Sequence, residues 1–175
     1  MLADAGVDLV EQPLPAANRQ GLCRITRNSP VAIMADEVLH GPADALDIAR
    51  MSGAHAFSVK PAQAGGLFAA GRIAAIASAS HIGIYGGTML EGGVGTMASA
   101  QLFVTFSQLE WGTELFGPLL QTQDILAEPL EYSDFALSLP ATPGLGVTLD
   151  LDKIRHFQRE GSGQITVTQS QLETA

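Results

Sequence analysis

Three strand-like segments that each end in a charged residue decide the fold: Val-Asp-Leu-Val-Glu at 7–11, Ala-Ile-Met-Ala-Asp at 32–36 and Ala-Phe-Ser-Val-Lys at 56–60. The spacing is 25 residues from Glu11 to Asp36 and 24 residues from Asp36 to Lys60. One strand, one helix and two short loops together take about that many residues. The stretch therefore predicts a repeated strand–helix unit that carries one charged group at the same structural position each time.

The same alternation continues along the chain after Lys60. Apolar periodicity and Gly or Pro breaks predict two further strands and a set of helices, with the strands at 82–85 and 109–114 and the helices at about 18–27, 42–51, 67–80 and 94–106. Beyond about residue 115 the pattern changes to short extended pieces at 128–130 and 135–140. A short helix at about 149–159, capped by Asp150 or Asp152, ends the ordered part.

Alternation of apolar strands with helices predicts a parallel sheet covered by helices. An open nucleotide-binding sheet would carry a Gly-rich loop after its first strand, but Glu-Gln-Pro-Leu-Pro at 11–15 offers no such loop. Charged groups at several strand ends favour a (β/α)8 barrel, whose active site is built from the carboxyl ends of different strands. Five strands make a partial barrel, so we expect three further strands outside this sequence.

Composition limits the possible partners. The chain has 175 residues, of which 46% are apolar and 15% charged, with a formal net charge of −9. An acidic chain lacks the basic face that binding to nucleic acid requires, and no apolar run reaches the roughly 18–20 residues of a membrane span. The single Cys23 excludes an internal disulfide and is compatible with a cytoplasmic location.

Glu11 and Asp36 are the candidate metal ligands. Neighbouring parallel strands lie about 4.8 Å apart, so carboxylates at successive strand ends can converge on one cation. Oxygen ligands favour Mg²⁺ or Mn²⁺ over zinc. The alternative is that each carboxylate caps a helix or pairs with a surface lysine, but the register shared with Lys60 favours a site.

Four other charged residues are candidates for roles around this pair. Burial at the mouth of a barrel would make Lys60 a usable acid, base or electrostatic group, whereas a solvated lysine is the alternative. Glu37 is a candidate supporting partner of Asp36. Glu91 and Glu114 end the fourth and fifth strand units, and each could donate a proton, hold substrate or simply cap a helix.

Several motifs resemble the enolase superfamily, and most closely its muconate-lactonizing branch. They are Asp-Leu-Val-Glu-Gln-Pro at 8–13, Met-Ala-Asp-Glu at 34–37, Ser-Val-Lys at 58–60 and Gly-Gly-Thr-Met-Leu-Glu-Gly at 86–92. Glu-Leu-Phe-Gly-Pro-Leu-Leu at 114–120 and Pro-Gly-Leu-Gly-Val at 143–147 are similar to muconate and chloromuconate cycloisomerases. After Lys60, Pro-Ala-Gln-Ala stands where the family usually has Ile-Ala-Lys-Asn.

The resemblance implies a Mn²⁺- or Mg²⁺-dependent, reversible cycloisomerisation of cis,cis-muconate, a small dicarboxylate, to muconolactone in aromatic catabolism. Glu11 and Asp36 match the second and third metal ligands, Lys60 the lysine of the sixth barrel strand, and Glu114 the glutamate of the eighth, which acts as an acid. The resemblance thus ranks Glu114 above Glu91. It also implies that the full-length enzyme is a homo-oligomer.

The resemblance further implies that this chain is the C-terminal part of such an enzyme, inactive alone. The first metal ligand, a Lys-x-Lys pair and an N-terminal capping domain would precede Met1. We expect a partial barrel at 1–117 (strands four to eight), a segment at 118–160 that packs on the capping domain, and a frayed tail at 161–175.

Two alternatives stay open. The chain could belong to another enzyme of the superfamily, such as a chloromuconate cycloisomerase, a dipeptide epimerase or an o-succinylbenzoate synthase. It could also be a non-catalytic remnant, because a half-open barrel has two unpaired strand edges that invite pairing with other chains.

Overall fold

The computed structural model describes residues 2–159, and its centre is a parallel four-stranded sheet. The strands lie in the order β1-β2-β3-β4, so each strand pairs with the next one along the chain. This sequential order is what a (β/α)8 barrel requires, and it confirms the predicted partial barrel. The strands are β1 Leu9–Glu11, β2 Ala32–Ala35, β3 Ala56–Val59 and β4 Gly83–Gly86.

Helices follow each strand and cover its outer face. They are α1 Arg19–Asn28, α2 Pro42–Arg50, α3 Pro61–Ala64, α4 Leu67–Ala79, α5 Gly93–Phe103 and α6 Leu151–Phe157. Single turns of 3-10 helix lie at Ala3–Ala5 and Gly117–Leu120. The helix predicted at 67–80 is confirmed within one residue, whereas α3 is not among the predicted helices.

The hydrophobic core lies between the sheet and these helices. All four residues of β3 are buried, and Phe57 has no exposed surface. Small residues on α4, including Ala70, Ala74 and Ala77, are buried in the same cluster and allow the helix to approach the sheet closely. The strands therefore read as apolar on both faces, as buried parallel strands do.

The prediction of a fifth strand at 109–114 is wrong, because no regular strand forms there. Among residues 2–159 a single bridge, between Gly86 and Thr113, continues the sheet past β4. The Glu110 carboxylate accepts the hydrogen bond of the Ile84 N–H at 3.1 Å, a place that a backbone carbonyl would hold in a regular ladder. Gly112 has a φ of 74° and turns the chain there. The Glu114 N–H still donates to the Gly86 carbonyl at 3.1 Å, so Glu114 lies beside the end of β4.

The C-terminal segment contains a hairpin and a capped helix. The hairpin consists of β5 Tyr132–Ser133 and β6 Ala136–Leu137, so the extended piece predicted at 128–130 is wrong and the one at 135–140 is shorter than predicted. Asp150 caps α6 by accepting from the N–H groups of Asp152 and Lys153. The predicted frayed tail at 161–175 lies outside the described residues. Within residues 2–159 no helix has both the length and the apolar character needed to cross a membrane.

Candidate active site

The carboxyl ends of β1, β2 and β3 bring Glu11, Asp36 and Lys60 together. The Lys60 Nζ atom lies 2.5 Å from the Asp36 Oδ2 atom. Both side chains are nearly buried, with 10% and 5% of their surfaces exposed. A paired register on parallel strands places successive strand ends at one edge, and the sequence spacing predicts this arrangement.

The carboxyl group of Glu11 contacts that of Asp36. Partial burial and the neighbouring Asp36 carboxylate raise the pKa of Glu11 to about 7, although the charge of Lys60 opposes the shift. Two carboxylates this close do not both ionise readily, since each disfavours the charged form of the other. Glu11 is therefore partly protonated near neutral pH, and a positive charge beside it would favour its ionised form.

Asp36 has an oxygen without a partner. Its Oδ2 atom accepts from Lys60, but its Oδ1 atom is buried and has no hydrogen-bond partner within the described part of the chain. A buried carboxylate oxygen left unpaired is costly, and such oxygens commonly bind an ion or a water molecule. The oxygen donors of Glu11 and Asp36 thus fit a hard divalent cation in kind.

The number of donors falls short of a complete metal site. Over residues 2–159 no group of three or more His, Cys, Asp or Glu side chains is arranged to hold a metal ion. The two carboxylates supply two ligands, and a hexacoordinate cation needs further oxygens from water, substrate or another part of the protein.

Lys60 is held in its charged form. Burial acts to lower the pKa of Lys60, but the ion pair with Asp36 and the charges of Glu11 and Glu114 outweigh burial and raise the pKa above its ordinary value. Lys60 therefore presents a fixed positive charge at the carboxyl-end mouth of the partial barrel.

Glu114 completes the cluster from the opposite side. The Thr88 N–H donates to Glu114 Oε1 at 2.9 Å, and the Thr88 hydroxyl donates to the Glu114 carbonyl at 3.3 Å. Thr88 is buried, so both contacts are shielded from water. The sequence does not single out Thr88, although it lies in the Gly-rich motif that follows β4.

Tyr85 is a further member that sequence reasoning missed. It is the register partner of Ser58, which is on the same strand face as Lys60. Burial raises the pKa of Tyr85, and the charge of Glu114, a hydrogen bond with it and the charges of Glu11 and Asp36 raise it further. The phenol therefore stays protonated and can donate a hydrogen bond at the mouth.

A comparison with protein families decides what this cluster belongs to. A family model described as "Enolase C-terminal domain-like" matches residues 1–153. The chain belongs to this family. The match spans every strand end described above, and it confirms the resemblance to the enolase superfamily.

Relatives within the family include muconate cycloisomerases and chloromuconate cycloisomerases. Muconate cycloisomerase 1-2 of Acinetobacter lwoffii is 59% identical over 166 residues, which is 95% of this chain and 43% of that protein. Muconate cycloisomerase 1 of Acinetobacter baylyi is 55% identical over 158 residues, or 90% of this chain and 43% of that protein. The chain therefore spans less than half the length of the curated relatives it matches.

Solved structures agree. The muconate lactonizing enzyme from Pseudomonas putida is 51% identical and superimposes with a TM-score of 0.88, covering 90% of this chain and 44% of that chain. The resemblance to the muconate-lactonizing branch is thus confirmed for the enolase C-terminal-like domain described here, and so is its barrel-type fold.

Glu37 and Glu91 lie apart from the cluster. Glu37 is exposed and makes none of the hydrogen bonds recorded around Asp36. One carboxylate oxygen of Glu91 accepts from the Met89 N–H at 2.9 Å, so this side chain fixes its own loop. The other, Oε1, is buried and has no partner among the described residues. Neither side chain contributes to the pKa shifts of Glu11 or Lys60.

Glutamines, and not Glu37, hold the backbone around Asp36. Gln12 accepts from the N–H groups of Asp36 and Val38, and Gln63 donates to the carbonyls of Asp36 and Leu39. Gln12 directly follows β1 and Gln63 lies on α3, but nothing in spacing or hydropathy distinguishes them from surface glutamines.

Proposed function

We propose that this chain carries part of the active site of a muconate cycloisomerase, which interconverts cis,cis-muconate and muconolactone. The observation that supports this most directly is the buried Lys60–Asp36 ion pair beside Glu11 and Glu114, in a chain 51–59% identical to muconate cycloisomerases. One solved relative from Pseudomonas fluorescens is described as complexed with muconolactone, which fits this substrate class.

The chemistry requires an anion to be stabilised and one proton to be moved. A carboxylate oxygen of the substrate bonds to a carbon of the conjugated diene, and the π-electron pair becomes an enolate at the other carboxylate. That enolate takes up one proton at carbon to give the lactone. A divalent cation, Mn²⁺ or Mg²⁺, held by Glu11 and Asp36 supplies positive charge that lowers the cost of the enolate.

The residues of this chain have distinct parts in that reaction. Lys60 keeps a positive charge fixed at the mouth, where preorganised charge stabilises a developing anion without further reorganisation. Glu114, which Thr88 holds at two points, is the acid that the resemblance assigns. Tyr85 donates a hydrogen bond toward Glu114. The third carboxylate and the second-strand lysine pair are expected on the portion of the relatives that this chain does not match.

We infer that the segment at 118–160 packs against the capping domain of such an enzyme. An apolar groove of about 600 Å³ supports this. Leu119 and Phe135 line the groove; Leu119 is 62% exposed and Phe135 is fully exposed. Exposed apolar patches of this kind mark interaction surfaces.

A chimera tests the proposed function. The unmatched N-terminal part of the Acinetobacter baylyi enzyme is fused ahead of this chain, and conversion of muconate is followed by loss of diene absorbance with Mn²⁺ or Mg²⁺ present. We expect lactone from the chimera, little from the chain alone, and a large loss with Lys60→Met in the chimera. A folded chimera that leaves muconate unchanged but epimerises a dipeptide would contradict the proposal.

A substrate panel on the same chimera separates muconate from chloromuconate. Identity is 51–59% to the curated muconate cycloisomerases and 44–46% to the chloromuconate cycloisomerases, while a solved muconate lactonizing enzyme from Klebsiella pneumoniae is 45% identical. We therefore expect a higher kcat/KM for muconate, and a reversed preference would assign the chain to the chlorinated substrate.

A further inference from the structure

Two glutamine side chains hold the backbone of Asp36 from opposite sides. The Oε1 atom of Gln12 accepts from the Asp36 N–H at 3.0 Å and from the Val38 N–H at 3.4 Å. The Nε2 atom of Gln63 donates to the Asp36 carbonyl at 2.9 Å and to the Leu39 carbonyl at 3.1 Å. Both peptide groups of Asp36 are thereby fixed by side chains that come from neighbouring strand ends.

Gln12 is itself rigidly placed. Its backbone N–H donates to the Met34 carbonyl at 2.9 Å and its Nε2 atom donates to the Leu14 carbonyl at 2.8 Å. Its φ of 33° is a conformation that non-glycine residues rarely adopt, and such strain persists where surrounding contacts determine it. Gln12 and Gln63 together form a clamp on the Asp36 backbone, and Gln12 is its rigid side.

The side-chain amide of Gln63 has one acceptor for each of its two hydrogens. A primary amide nitrogen carries two hydrogens, and here they go to two carbonyls, one of which also accepts the Leu39 N–H at 2.8 Å. Pro61 begins α3 directly after Lys60, so the same short helix carries Gln63 and follows the ion-paired lysine. Gln63 is neutral, so it supplies these hydrogen bonds without adding a charge.

We propose that Gln63, acting with Gln12, is a positioning residue for Asp36. The clamp holds Asp36 with Oδ2 on Lys60 and Oδ1 left open for a divalent cation. This inference rests on the proposed function for the role of the cation, whereas the clamp on the backbone is independent of it. Groups that orient a metal ligand in this way commonly change metal affinity by about 10- to 100-fold when they are removed.

Gln63→Met removes both hydrogen bonds and keeps the side-chain length. Gln20→Met is the matched control, because Gln20 is an exposed glutamine on α1 away from the cluster. Amide hydrogen exchange at 36, 38 and 39 is measured in the metal-free chain, and Mn²⁺ affinity is measured by water-proton relaxation. Gln63→Lys restores a donor to the two carbonyls.

We expect exchange at these amides to rise about fivefold in Gln63→Met, because loss of the two hydrogen bonds to the Asp36 and Leu39 carbonyls loosens this backbone by about 1 kcal/mol. Mn²⁺ binding weakens about tenfold or more in the same variant. Gln20→Met behaves like wild type, and Gln63→Lys restores the slow exchange. A merely structural role would lower the melting temperature of Gln63→Met and leave Mn²⁺ affinity unchanged, which would overturn the proposal.

Asp36→Asn separates this inference from the proposed function. If Asp36→Asn leaves Mn²⁺ affinity unchanged, the cation site fails, and exchange at 36, 38 and 39 alone decides the backbone clamp. Exchange that does not change in Gln63→Met rejects the clamp whatever the metal does.

Discussion

Gly87 is the residue whose lack of a side chain lets Lys60 reach Asp36. A Cβ atom at Gly87 would lie 2.3 Å from the Ser58 hydroxyl and 2.8 Å from Cε of Lys60. Gly87→Ala therefore pushes the lysine stem away from the ion pair. We expect a loss of about 1–3 kcal/mol of unfolding free energy from overpacking. In the chimera, a displacement of about 1 Å costs on the order of 100-fold in kcat.

Gly71→Ala is the control for that substitution. Gly71 lies within α4, and its added Cβ would meet only Leu102, at 3.8 Å. Replacing glycine by alanine inside a helix stabilises by roughly 0.5–1 kcal/mol, so urea unfolding should move in the opposite direction. If Gly87→Ala keeps wild-type stability and activity, the Lys60 side chain can move aside, and the lack of a side chain at Gly87 is not required for the ion pair.

At the scale of elements, α5 depends on a cap that comes from far along the chain. Its N-cap residue, Gly92, has no side chain, and the Asp124 carboxylate accepts instead from the Gly93 N–H at 2.6 Å. A carboxylate at a helix N-terminus satisfies an unpaired donor and interacts favourably with the helix dipole. Asp124→Ala should therefore cost about 1–2 kcal/mol in urea unfolding followed by circular dichroism.

Asp150→Ala is the matched comparison. Asp150 caps α6 in the same way, but α6 has no buried residue. Its loss should fray α6 and leave the main unfolding transition where it is. Equal effects of the two substitutions would contradict the view that α5, which carries buried Met97 and Phe103, is part of the cooperative core.

The β5–β6 hairpin is tied to the rest of the domain by Tyr132, whose hydroxyl donates to the Leu115 carbonyl at 2.7 Å. Burial and the charge of Asp124 raise the pKa of Tyr132. Between the unfolded pKa of about 10 and the higher folded value, the unfolded chain loses the proton first, so stability falls as pH rises.

Tyr132→Phe tests this linkage by urea unfolding from pH 7 to 11. The variant should be about 1 kcal/mol less stable than wild type at pH 7, because a hydrogen bond is lost. The difference should narrow above about pH 10, where only the wild-type protein loses the stability tied to this proton. Tyr85 titrates in both proteins and does not affect the comparison. A constant difference across that range would show that Tyr132 stays as protonated when unfolded as when folded.

Strand positions and the charged ends of β1 to β3 could be predicted from the sequence because hydrophobic runs and loop lengths determine them. The fifth strand could not, because the Glu110 side chain takes a place in the ladder that pattern reasoning reserves for a backbone carbonyl. Tyr85, Gln12 and Gln63 were missed for a related reason. Their roles depend on which neighbouring polar group each side chain reaches, and only the folded register determines that.

At the scale of the whole molecule, no strand of residues 2–159 pairs with the outer edge of β1, and an apolar groove lies beyond the Gly86–Thr113 bridge. Unpaired strand edges and exposed apolar surface both favour association. We expect the chain alone to form larger species as concentration rises in sedimentation velocity experiments. Leu119→Glu places a charge in the groove and should shift the chain toward monomer.

Leu151→Glu is the control for this last substitution, since Leu151 has the same exposed fraction of 62% but lies outside the groove. It should leave association unchanged. In the chimera the capping domain is expected to cover the groove, so Leu119→Glu should there lower stability and have no effect on association through this surface. A chain that stays monomeric at all concentrations would show that neither the β1 edge nor the groove mediates association. The homo-oligomer expected for the full-length enzyme would then form through a different surface.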